Sequence, residues 1–337
     1  MEIPVVRNIL EANSATAEEL RTLFAQKKIL VLNLISSPGA GKTTLLERTL
    51  AALAPKYGLA VIEGDLMTDN DARRVAATGA QAVQINTEGG CHLDAAMVSN
   101  ALVSLNLDTV DILFVENVGN LVCPVEFDVG EDAKIAVLSV TEGDDKPEKY
   151  PLLFELSKAM VLNKMDLLPY VDFDPDRAEA FARSLNKGLV SFRVSCRQPQ
   201  GLDAWYEWIE NALAEKQRLA VILDSIADGV FTVDLDWNVT FFNRSAETIT
   251  GIPRAEAVGR KCWEVFHSSL CDGSCALEHC MNEDVRLSGK SIFIIRPDGE
   301  RTPISISAAP LRDAAGNLVG GVETFRDLTE IVRLRRE

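Results

Sequence analysis

The stretch Ser36-Ser-Pro-Gly-Ala-Gly-Lys-Thr-Thr44 follows the apolar run Ile29 to Ile35 and precedes Leu45, Leu46, Thr49, Leu50 and Leu53 at helical spacing. Strand, glycine loop and helix in that order form the context of a P-loop. Backbone amides around Gly39, Ala40 and Gly41 would point at phosphates, helped by the positive end of the helix. Lys42 would bridge the β- and γ-phosphates, Thr43 would hold Mg²⁺, and Thr44 completes the nucleotide-binding run. Ser36 stands where the usual pattern has its first glycine.

The rest of the first two thirds is consistent with this nucleus. Apolar segments near 29–35, 59–64, 82–86, 110–115, 134–139, 159–163 and 189–194 alternate with helical patterns, which predicts an α/β fold with a doubly wound, mostly parallel sheet. Asn163-Lys164-Met-Asp166 lies at the carboxyl edge of one of these strands. A carboxylate there accepts N1–H and N2–H₂ of guanine, with Asn163 expected at the O6/N7 edge; adenine would leave Asp166 unpaired, so the nucleotide is expected to be GTP or GDP. Ser195-Cys196 follows the strand 189–194 and would bring a backbone amide to the guanine O6, although Cys196 and Arg197 depart from the Ser-Ala-Lys loop usual in GTPases. Asp65 and Glu116 end two strands and are candidates for Mg²⁺ and hydrolysis, with Asp71 a further polar candidate. Gly119, in Glu116-Asn-Val-Gly119, would sense the γ-phosphate through its amide as its loop closes. The residue that positions the attacking water is left open.

Metal ligands fall beside these switches. Cys91 and His92 are adjacent, and Cys123 lies just beyond Gly119. Thiolate and imidazole ligands suit zinc, nickel or copper and exclude magnesium as the main occupant. Three ligands do not close a tetrahedral or square-planar site, but two chains meeting at a twofold axis through these loops would.

With Glu63-Gly-Asp65, Gly90-Cys-His-Leu-Asp94, Glu116 to Gly130 and Thr141-Glu-Gly-Asp-Asp-Lys-Pro147 added to the motifs above, residues 1 to about 215 resemble the hydrogenase nickel-incorporation GTPases, the HypB family of the SIMIBI class. The resemblance implies a GTP-dependent homodimer that binds nickel or zinc at Cys91, His92 and Cys123. It further implies delivery of nickel to the large subunit of a nickel–iron hydrogenase, together with a nickel/zinc accessory protein of the HypA family. Some members store nickel on an amino-terminal cysteine motif or histidine-rich tract, whereas Met1 to Lys28 contains neither residue type. Two alternatives stay open: a signalling GTPase in which Cys91, His92 and Cys123 are plain loop residues, and the sibling urease-accessory GTPases, whose metal motif is Cys-Pro-His.

The last third adds something else. Trp205, Trp208, Ile209, Ala212, Leu213, Leu219, Leu223 and Ile226 recur at helical spacing and predict one connecting helix over 203–226. A strand pair, a helical middle and three strands follow, punctuated by Gly, Pro and Asp turns. Residues 217–330 resemble a PAS sensory domain, an α+β fold with an antiparallel sheet, with Asn243 and Asp327-Leu-Thr329 as the matching segments; 331–337 form a short tail. Within it lie Cys262, Cys271, Cys275 and Cys280, interleaved with His267 and His279. They could hold zinc or an iron–sulfur cluster, or act as a thiol/disulfide sensor, and spacing does not choose. Their signal is expected to run back through the 203–226 helix or outward to a partner.

A net charge of −16 over 337 residues argues against nucleic acid or an anionic membrane as partner. No run reaches transmembrane length, and Met1 to Arg21 lacks the apolar core of a signal peptide. Seven cysteines beside a P-loop fit a reducing, cytoplasmic setting.

Overall fold

The computed structural model describes residues 4–65, 78–87, 89–198, 200–271, 273, 275–313 and 316–334. The side chain of Asp65 and the whole of Asp71 lie outside the described residues. The chain divides into two units, Met1–Lys216 and Gln217–Glu337.

In the first unit, seven described strands form one sheet: β1 (Leu30–Ser36), β2 (Leu59–Asp65), β3 (Gln81–Asn86), β4 (Ile112–Glu116), β5 (Ala133–Ser139), β6 (Ser157–Asn163) and β7 (Val190–Arg193), in the order β3-β2-β4-β1-β5-β6-β7. Every pairing is parallel. A parallel sheet must be covered on both faces, which is why its strands read as near-continuous apolar runs. On one face Leu32, Leu34 and Phe114 pack with Leu45, Leu46 and Leu50 of the helix Lys42–Leu53 and with Trp205 and Ile209 of the helix Leu202–Ser225. Trp205 donates its indole N–H to Thr49 Oγ1 at 2.9 Å, so burying it leaves no polar atom stranded. On the other face Val31, Leu113 and Val115 meet Leu20 and Phe24 of the helix Pro4–Lys27, while Ile35, Ala136 and Leu138 meet Phe154. β1 is central, and the chain winds away from it in both directions, so the crevice at its carboxyl end is the topological switch point where such sheets bind ligands.

The second unit has five described strands, β8 (Gly229–Val233), β9 (Val239–Phe242), β10 (Leu287–Ile295), β11 (Arg301–Arg312) and β12 (Leu318–Asp327), antiparallel in the order β10-β11-β12-β8-β9. The helical middle expected from the sequence runs from Arg244 to Glu283, with four short helices among the described residues. Phe231, Phe242, Phe266 and Phe325 fill the core, with the Phe266 and Phe325 rings 4.7 Å apart edge to face. Gly229 is glycine because a Cβ there would lie 2.3 Å from the Phe325 ring. Asn243 ties the start of the unit together. Its Oδ1 accepts from the amides of Val230 (2.8 Å) and Ala246 (2.9 Å), and its Nδ2 donates to the carbonyls of Leu223 (3.0 Å) and Asp228 (3.1 Å). Among the described residues no helix is long and apolar enough to cross a membrane.

Asn243 is fully buried, so Asn243→Ala is expected to destabilise the second unit by about 3 kcal/mol, since four partners lose a bond inside the protein. Asn243→Asp keeps both accepting bonds and should cost less. Urea unfolding of the full chain, followed by a probe of each unit, checks the order of the two effects.

Candidate nucleotide and metal site

The glycine loop leaves β1 at Ser36 and enters its helix at Lys42. Gly41 takes a left-handed backbone at φ 95°, and a Cβ there would fall 2.5 Å from Asn163 Nδ2, so both conformation and space demand glycine. Lys42 is buried and donates to Ser36 Oγ at 2.8 Å. Thr43 Oγ1 lies 2.9 Å from Glu116 Oε1, which brings together two of the three residues expected to hold Mg²⁺. The third, Asp65, closes β2 beside Asn86 at the same edge of the sheet.

The residues expected to read the base gather at the ends of β6 and β7. Asp166 Oδ1 accepts from Ser195 Oγ at 2.6 Å, and Ser195 Oγ in turn accepts from the Gln198 amide at 3.1 Å. Asn163, expected at the O6/N7 edge of the base, also bonds within the protein. Its Nδ2 donates to Ala40 O at 3.0 Å and its Oδ1 accepts the Lys164 amide at 2.7 Å. A side chain that is 2% exposed must meet its hydrogen bonds inside the protein, and the glycine loop supplies the partner. Lys164, at φ 62°, reaches Gly39 O with its Nζ at 2.6 Å, so the base loop and the phosphate loop are clamped twice. Cys196 is buried, its carbonyl accepting from Arg48 Nε at 3.0 Å, and burial pushes its thiol up to about 11.

Three residues that sequence reasoning passed over join the site. Ser37 Oγ donates to Glu142 Oε2, while Glu142 Oε1 is buried without a partner among the described residues. Asn117, 1% exposed, accepts through one Oδ1 from the amides of Leu93 and Val118, both at 3.0 Å. Its Nδ2 donates to Asn33 Oδ1 at 3.3 Å.

The sulfur and nitrogen donors of Cys91, His92 and Cys123 all lie within 4.8 Å of one another, the one such group of three or more among the described residues. The loop between β3 and the helix Ala95–Leu102 carries the first two, and Cys123 opens a short helix beyond Gly119. Asp94 fixes the exit of that loop by capping the helix through the Met97 amide at 2.7 Å. His92 stacks on Phe127 with ring centroids 3.8 Å apart, and its burial lowers the imidazole pKa. The hydrogen bond to Cys123 holds the Cys91 thiol above its ordinary pKa. Neutral imidazole and two adjacent sulfurs suit a borderline-soft divalent ion. Gly119 crosses directly over the glycine loop, where an added Cβ would sit 3.0 Å from the backbone of Pro38. The loop that carries Cys123 therefore starts in contact with the phosphate loop.

The six candidates in the second unit are not brought to one point. Cys262 opens the helix Cys262–Phe266 and Cys275 precedes the helix Ala276–Glu283, whereas Cys280 donates its thiol to Ala308 O at 3.4 Å. His267 and His279 line separate surface hollows. Cys262, Cys271 and Cys275 line one small cavity, and spacing along the chain could not separate them from Cys280 and the two histidines. Burial pushes the Cys262 thiol up to about 12 and raises Cys275 and Cys280 as well.

Fold and site together define a P-loop nucleotide-binding protein with a Cys–His–Cys cluster on the loops at its phosphate edge. Residues 30–192 match the family model described as CobW/HypB/UreG, nucleotide-binding domain, and residues 227–330 match that of a PAS domain. The hydrogenase maturation factor HypB of Escherichia coli K12 is 53% identical over 60% of this chain and 70% of its own length. That of Azotobacter vinelandii is 51% identical over 64% and 72%. A solved structure of HypB from Helicobacter pylori in complex with nickel is 36% identical, covers 60% of this chain and 96% of that one, and superposes with a TM-score of 0.58. The chain belongs to the HypB family of hydrogenase maturation factors and carries a PAS domain after its nucleotide-binding domain.

Gly41→Ala should weaken guanine-nucleotide binding roughly thirtyfold, the equivalent of about 2 kcal/mol of backbone strain and displaced clamp. Gly39 also has a positive φ, of 78°, but open space beside it, so Gly39→Ala should lose less. Titration with a fluorescent GDP analogue ranks the two.

Proposed function

We propose that this chain hydrolyses GTP and uses the nucleotide state to control nickel held at Cys91, His92 and Cys123, for delivery to the large subunit of a nickel–iron hydrogenase. The observation that carries the reading is Asn117, whose single side-chain oxygen bonds both the Leu93 amide, next to His92, and the Val118 amide, next to Gly119. A shift of the Gly119 loop toward a γ-phosphate cannot leave the metal loop where it was, because both backbones share one acceptor. Membership in the maturation-factor family and the nickel in the Helicobacter pylori relative support the cargo.

In this reading Asp166, braced by Ser195, takes the guanine edge, and Asn163 with Lys164 holds the glycine loop in shape around the phosphates. Thr43, Glu116 and Asp65 would hold Mg²⁺, which neutralises charge on the β- and γ-phosphates. Lys42 exchanges its bond to Ser36 for phosphate oxygens. Water attacks the γ-phosphorus, the bond to the β–γ bridging oxygen breaks, and GDP and phosphate leave. Cys91, His92 and Cys123 offer three donors, and a second copy meeting them about a twofold axis completes the sphere, in keeping with a GTP-dependent homodimer. Zinc is the competing occupant of the same ligands. A nickel/zinc accessory protein of the HypA type is the expected partner, the cytoplasm the expected setting, and the PAS domain the expected source of a redox, metal or small-ligand signal to turnover.

Calorimetry of Ni²⁺ binding to the reduced chain, with Mg²⁺–GDP and then with a nonhydrolysable GTP analogue, tests the proposal. The two affinities should differ by about 5- to 150-fold, the usual span of site-to-site coupling, and Cys91→Ala/Cys123→Ala should abolish the nucleotide-dependent site. Equal affinities, or a site indifferent to that double variant, would favour a signalling GTPase instead. Asn117→Ala should retain nickel binding while drawing the ratio of affinities toward one. An unchanged ratio would remove Asn117 from the coupling route.

A further inference from the structure

The PAS unit holds donor groups of its own, and the sheet arranges them in a way the sequence does not show. A cavity of about 30 Å³ lies inside it, lined by Cys262, Cys271, Cys275 and Glu323 against apolar neighbours such as Phe266 and Leu277. Glu323 occupies an inward position of β12, alternating with Phe325 and Gly321 and opposite Phe231 and Ala308 in the flanking strands. It is 5% exposed, and no hydrogen bond or ion pair meets its carboxyl group among the described residues. An inward strand position normally carries an apolar side chain, and a carboxyl this enclosed is costly to ionise. Such a residue belongs where something else completes it.

Three cysteines and one glutamate line that space. Cys262 enters from the helix Cys262–Phe266, and Cys275 from the cap of the helix Ala276–Glu283. Cys271 is exposed and gives a route from solvent. The volume is an order of magnitude below the roughly 300 Å³ at which organic-ligand pockets begin, but suits one ion or one or two waters. We infer that this cavity binds a thiophilic divalent cation of the zinc class, with Cys262, Cys271 and Cys275 as sulfur ligands and Glu323 as the oxygen ligand. Four donors of this kind match tetrahedral zinc, and the sulfurs exclude magnesium and calcium. In the present geometry no three of the four donors lie within 4.8 Å of one another. Binding therefore draws Cys271 inward from its 3.5 Å contact with Ser268 Oγ, and the bound thiols release their protons to solvent. The site does not depend on the nickel reading, and its donors are separate from Cys91, His92 and Cys123.

The test uses the reduced full chain carrying Cys91→Ser/Cys123→Ser, so that the loop site is silent, and measures zinc by competition with a chromogenic chelator. One zinc per chain should remain. Adding Cys271→Ser or Glu323→Gln should each weaken it about tenfold or more, with far-ultraviolet circular dichroism unchanged. Cobalt substituted for zinc in the Cys91→Ser/Cys123→Ser protein should show thiolate charge-transfer absorption, a readout that needs no change inside the cavity. Absence of retained zinc, absence of that band, or full affinity in either added variant overturns the ligand set, and the cavity is then a water-filled pocket beside a core acid.

Discussion

The site depends on β1 lying between β4 and β5 in parallel register, with Leu34 opposite Glu116 on one side and Ile135 on the other. Parallel strands end at the same edge, so the glycine loop and the Glu116–Gly119 loop leave the sheet together. The Asn117 amide then bonds back to Leu34 O at 3.1 Å, fixing the height at which the second loop departs. From that anchor Gly119 passes over Pro38 with room for a hydrogen only, and Asn117 turns its side chain toward the metal loop. A register slip in β4 would separate Thr43 from Glu116 and pull Cys123 away from Cys91 in the same movement.

Much of this was legible in the sequence because the informative patterns are local. The apolar runs set seven strands, the glycines of residues 39 and 41 marked the loop, and Asn163 to Asp166 marked the base-reading edge. Residues that act through distant partners were not legible. Asn117 reads as a loop asparagine until Leu93, 24 positions earlier, is placed beside it. The bond from Asn163 to Ala40 O is likewise hidden in the sequence, because a place after a strand says nothing about which way the amide turns. The six Cys and His residues of the PAS unit looked like one cluster because they are close along the chain, yet Cys280 spends its thiol on Ala308 O and the two histidines face surface hollows. Glu323 gave no signal at all, since a glutamate in a run of Gly, Val and Thr is ordinarily a solvent-facing strand residue.

The metal loop joins opposing electrostatic preferences. Burial against Phe127 disfavours the charged imidazole of His92, leaving a nitrogen lone pair for an ion, while the bond to Cys123 favours the protonated Cys91 thiol. Under the proposed metal-binding role, a cation would find one ligand ready and would have to displace a proton from another, which would link ion capture to proton release. Because Asn117 ties this loop to the Gly119 loop, any movement of the latter alters the spacing of those donors.

The inward carboxyl of β12 also gives the PAS unit a thermodynamic slope. Burial raises Glu323 to about 8, against 4.5 for the group in water. Between those two values the unfolded chain has released a proton that the folded chain retains. Stability of the ion-free unit therefore falls as pH rises, by up to about 1.4 kcal/mol per pH step, and levels off above the folded value. Cys262 and Cys275, raised by burial, stay neutral across that window and do not offset it. The usual carboxylate sign is reversed for this group: its contribution is lost as pH rises from about 4.5 to about 8.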